Sequence, residues 1–109
     1  MMQATQEAPL PETGVSMASP SLMIQVYVGL PSGCSFVDVE DAVRIHVLGA
    51  TVTRAVGMWQ GSYEDSLVIT ILGQQGDLYD ARRLAVYLKN LLMQDEVLVV
   101  TTPCEVEVV

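Results

Sequence analysis

Residues 49–72, GATVTRAVGMWQGSYEDSLVITIL, decide the fold. The stretch alternates on both sides of a polar centre. In 51–59, Val52, Arg54, Val56 and Met58 fall on one face, and Thr51, Thr53, Ala55, Gly57 and Trp59 on the other. In 64–72, Leu67, Ile69 and Ile71 share a face. Between them lies QGSYED, whose Gly61 accepts the positive φ of a tight turn. The period of two on both flanks predicts a β-hairpin, 51–59 paired with 64–72.

The hairpin is flanked by segments of helical period. Before it, SFVDVEDAVRIHVLGA places Phe36, Val39, Val43 and Val47 on one helical stripe. Ser35 or Asp38 can cap this helix, and Gly49 can end it, giving 37–48. After it, Ala81, Leu84, Ala85, Leu88, Leu91 and Leu92 form the stripe of a helix over 78–93, with Asp77 as its cap. Strands precede and follow: LMIQVYVGL at 22–30 and EVLVVTT at 96–102. Pro103 interrupts the latter, and CEVEVV resumes alternation as a short extra strand at the sheet's edge.

The order β-α-β-β-α-β predicts an α+β domain over 22–109, a ferredoxin-like split βαβ arrangement. Right-handed crossovers put both helices on one sheet face. The other face stays uncovered and apolar, which predicts a homo-oligomer, first of all a dimer. Residues 1–21 hold Pro9, Pro11 and Pro20 and show no period, so they read as a flexible tail.

Composition narrows the function. The chain of 109 residues carries thirteen acidic and five basic residues, a net charge of −8. That surface repels phosphate backbones, so direct nucleic-acid binding is not expected, while a basic partner is favoured. No apolar run approaches the roughly 20 residues that span a bilayer. The start of the chain lacks the basic and apolar regions of a signal peptide, which predicts a cytoplasmic protein. Cys34 and Cys104 lack ligand spacing, so they read as separate small hydrophobes, with no metal, no disulfide and no cofactor expected.

The candidate binding residues are Trp59, Tyr63, Glu64, Arg54 and His46. Trp59, Tyr63 and Glu64 surround the hairpin tip and can form a shelf, an aromatic face with a carboxylate beside it. The preferred reading is structural, a cross-strand aromatic pair with a register-setting carboxylate and a buried Trp59, whose truncation would cost about 3–5 kcal/mol. Arg54 can pair with Glu64 or Asp65 on the facing strand. His46 is the only histidine, at the border of the first helix's stripe, with no nucleophile near it in sequence.

The positions Thr53, Ala55, Gly57, Trp59, Glu64 and Ser66, followed by Gln94, Val97 and Leu98, resemble a family of small bacterial and phage α+β proteins of unknown function. The resemblance runs over roughly residues 24–109; it implies the fold and assigns no activity. The leading expectation is a self-associating binding module for a small molecule or a protein. The alternatives are a small enzyme with a cleft at a subunit interface, using His46 or Glu64 as acid or base, and an acidic mimic of nucleic acid.

Overall fold

The computed structural model describes residues 20–109. In chain order it contains β1 (Leu22–Gly29), α1 (Phe36–His46), β2 (Thr51–Trp59), β3 (Ser62–Gly73), α2 (Asp77–Leu91) and β4 (Leu98–Pro103). The four strands form one antiparallel sheet in the order β2-β3-β1-β4. This is an α+β fold of β-α-β-β-α-β order. The expected flexible segment, 1–21, lies outside the described residues except for its last two, and Ser21 donates its N–H to Gly73 O at 2.9 Å beside the start of β1.

Strand alternation builds one core. Ile24, Val26 and Val28 of β1 and Leu67, Ile69 and Ile71 of β3 point to the same side and are buried. Val39, Ala42 and Val43 of α1 and Ala81, Leu84 and Leu88 of α2 close over them in a single cluster. Both helices therefore cover one sheet face. No helix among the described residues lies on the opposite face, and Tyr27, Leu72, Leu98 and Val100 are exposed there. No helix among the described residues is long and apolar enough to cross a membrane.

The element ends depart from the sequence reading in instructive ways. Ser35 caps α1, accepting from Val37 N–H at 3.1 Å. The helix stops at His46 rather than 48, because Val47 turns extended (φ −134°, ψ 153°) and packs against the core. Gly49 therefore lies beyond the helix end and does not form its cap. Asp77 does not cap α2 from outside. It is the first helical residue, and its Oδ2 accepts from Gln74 N–H at 2.7 Å, closing the loop before the helix. The far end of α2 is a Schellman motif: Met93 N–H bonds Asn90 O (3.3 Å) and Gln94 N–H bonds Lys89 O (2.9 Å). That motif places Met93 at φ 51°, a left-handed conformation costly for a side chain. Met93→Gly is expected to raise stability by about 1 kcal/mol. A chemical denaturation series checks it, and an unchanged midpoint would contradict it.

Two strand expectations also shift. The hairpin turn is only Gln60-Gly61, with φ of 51° and 81°, the signature of a type I′ turn. β3 consequently begins at Ser62, two residues before the expected 64. At the other end, β4 spans Leu98–Pro103, and 104–109 form no strand, which corrects the extra C-terminal strand. The cause is the lack of a partner. β1 begins at Leu22, opposite Pro103, so nothing on β1 remains to pair with the residues beyond.

Candidate functional site

The site grows out of strand parity. Gly29, Ser66 and Ala55 form one row across β1, β3 and β2 on the uncovered face. The next rungs on that face are Gly57 with Glu64 and Trp59 with Ser62. β1 ends at Gly29, where Leu30 N–H makes a last bond to Asp65 O at 2.8 Å. The hairpin continues past that point as a two-stranded ribbon. Among the described residues no third strand or helix covers Trp59, which is 60% exposed. The expected burial of Trp59 is overturned for this physical reason.

The small residues make room for polar groups to meet. A Cβ at Gly29 would collide with Gln94 Oε1 and stand 3.2 Å from Glu64 Oε2. A Cβ at Gly57 would lie 2.7 Å from Ser66 Oγ. Gln94 arrives from the Schellman turn after α2, and its Nε2 donates to Leu92 O at 3.2 Å. That bond leaves Oε1 facing the space over Gly29. Two acceptors, a carboxylate and an amide oxygen, thus converge on one spot beside an exposed indole. Such a spot receives hydrogen-bond donors or positive charge. The one ion pair among the described residues is Arg44–Asp41, so Glu64 has no basic partner there.

The remaining sequence candidates lie elsewhere. Tyr63 is opposite Met58, on the other face of the ribbon from Trp59, so no cross-strand aromatic pair forms. Arg54 also points to the helix side, its guanidinium 4.5 Å over the Phe36 ring, and it pairs with neither Glu64 nor Asp65. Glu64 is on the opposite face, and the Phe36 ring occupies the space around the guanidinium. His46 is at the end of α1, its Nδ1 2.8 Å from Ala42 O and its ring 5.1 Å from Tyr87. It lines an open groove of about 460 Å³ bordered by Arg44, Leu48, Asp77 and Asp80. This groove is at the opposite end of the sheet from the hairpin tip. Its charged groups are spread along the rim, and the His46 Nδ1 is engaged by its own helix. The convergence over Gly29 brings its polar groups closer together than this groove does.

Gly29, Ser66, Gly57 and Gln94 were not among the sequence-derived site residues. The last three, with Trp59 and Glu64, did belong to the pattern behind the family resemblance. The structure shows what links them: Ala55, Gly57, Trp59, Glu64 and Ser66 share one face, and Gln94 reaches it from a distant loop. Among the described residues, no three His, Cys, Asp or Glu side chains gather as a metal site would require.

No family model and no curated protein matches the chain. Among solved structures it is similar to a phage SAM lyase in its apo state, with a TM-score of 0.58 and 20% identity, covering 84% of this chain and 87% of that one. It is also similar to a de novo designed protein, Foldit4, with a TM-score of 0.48 and 17% identity over 78% of this chain and 97% of that one. The likeness to the phage protein is one of fold, in keeping with the α+β architecture.

Proposed function

We propose that the chain is a self-associating binding module on a ferredoxin-like frame, and that it takes a small cationic or amine-bearing molecule at the root of the hairpin. The observation that carries this reading is the convergence of Glu64 Oε2 and Gln94 Oε1 over Gly29, beside the exposed Trp59. The carboxylate and the amide oxygen accept donors from the ligand, and the indole gives it a surface for stacking or cation–π contact. A chain of net charge −8 draws a cation towards that carboxylate. Self-association is supported by the uncovered face, where Leu98, 58% exposed, lies opposite Tyr27 and next to the other exposed apolar side chains. We place the protein in the cytoplasm, where Cys34 and Cys104 remain free thiols.

The likeness to a phage SAM lyase favours a second reading, a small enzyme acting on the same kind of ligand, with Glu64 as the base. S-adenosylmethionine joins a flat base bearing an amine to a sulfonium cation. Both ends suit a tryptophan beside a carboxylate, which makes it the natural probe. Native mass spectrometry of the full chain, purified gently from cells, tests the module. The expected spectrum is a dimer that carries small-molecule mass. A bare monomer across micromolar concentrations would contradict the proposal.

A further inference from the structure

The two edges of the sheet differ in a way that bears on how copies meet. β4 is a short edge strand of six residues ending on Pro103. β2, the other edge, is nine residues long, with no proline, no acid and one charge, that of Arg54. Its outer N–H and C=O groups pair with no strand among the described residues. Proteins normally shorten, bend or charge such an edge, because it templates pairing with another chain. Arg54 stacks on Phe36 and has no acidic partner among the described residues.

A complementary segment exists at the opposite edge. Cys104 N–H donates to Ser21 O at 3.1 Å, and beyond it no backbone bond among the described residues holds the chain. Residues 105–108 alternate Glu105 and Glu107 with Val106 and Val108, a pattern suited to a strand with two unlike faces. Val108 is 90% exposed. The segment cannot easily serve its own β2, which lies three strand spacings away, about 14 Å across the sheet.

We propose that residues 105–109 of one copy add as a fifth strand to the β2 edge of a second copy. Alternation then sets both glutamates on the Arg54 face, where one of them meets the guanidinium. Val106 and Val108 fall on the uncovered face beside Thr53, Ala55 and Gly57, next to the hairpin site. Reciprocal exchange closes a two-fold pair in which each copy supplies an apolar wall near the other's site. The inference rests on the self-association proposed above and adds the β2 edge to the uncovered face as a contact between copies.

Light scattering coupled to size exclusion, on the full chain across micromolar concentrations, tests this with three variants. The first carries Val106→Pro and Glu107→Pro together. Adjacent N–H groups of a strand point to opposite sides, so one of the two must face the partner. Both positions are outside the core, so the thermal melt reports that folding is intact. The second is Arg54→Glu, and the third adds Glu105→Arg and Glu107→Arg to it. The expected result is a wild-type dimer, an association midpoint weakened at least about tenfold in the first two variants, and recovery in the third. Folded double-proline and Arg54→Glu variants that dimerise like wild type would overturn the strand exchange while leaving self-association standing. A monomeric wild type would remove both.

Discussion

Leu67→Ala is expected to lower the melting temperature by about 10–30 °C, while Trp59→Ala moves it by only a few degrees. Leu67 sits mid-way along β3, opposite Val28 of β1 and Arg54 of β2, and is 0% exposed. Truncating a side chain so enclosed removes its contacts and leaves a cavity, at a cost of about 2–5 kcal/mol. That is a large share of the roughly 5–15 kcal/mol that holds a domain together. Trp59 is a larger side chain, yet most of its surface stays in water, and its cross-strand partner is Ser62. A surface pair of this kind contributes about 1 kcal/mol or less. Thermal melts followed by far-ultraviolet circular dichroism separate the two. Equal losses in both variants would mean that Trp59 is packed and not displayed.

That contrast also marks how far the sequence could be read. The change of period from two to 3.6 and back located both helices and the hairpin, because each element's apolar positions repeat locally. What the repeat cannot report is where a strand's neighbours stop. Trp59 reads as half of an aromatic pair until two facts are known. The turn occupies only Gln60 and Gly61, which sets Trp59 opposite Ser62, and β1 ends four residues short of the β3 tip, at the Gly29–Ser66 rung. Residues 104–109 alternate as well as any strand in the chain, but alternation does not supply a partner, and β1 has none left to offer. Gln94 was hidden for another reason. It is delivered by a Schellman turn built on Met93, where the expected helix-ending glycine is absent. The place it reaches, above Gly29, is 65 positions away in sequence.

The second large effect concerns the site itself. Under the proposed function, Glu64→Gln is expected to weaken the binding of a cationic, amine-bearing probe by about 10- to 100-fold, since a hydrogen bond to a charged group contributes about 1.5–3 kcal/mol. The substitution keeps the size of the side chain and removes its charge. Glu64 is exposed, so the fold and its melting temperature should stay at the wild-type values. Loss of binding together with loss of folding would instead assign Glu64 a structural role.

Trp59 is the chain's only tryptophan, so its emission reports the site without labelling. The most direct test of the proposed cation site is a fluorescence titration of wild type and Glu64→Gln with a cationic, amine-bearing probe, S-adenosylmethionine, under identical conditions. The account predicts a saturable change in wild type that shifts to at least about tenfold higher ligand concentration in Glu64→Gln. No change in wild type, or the same midpoint in both proteins, would contradict it.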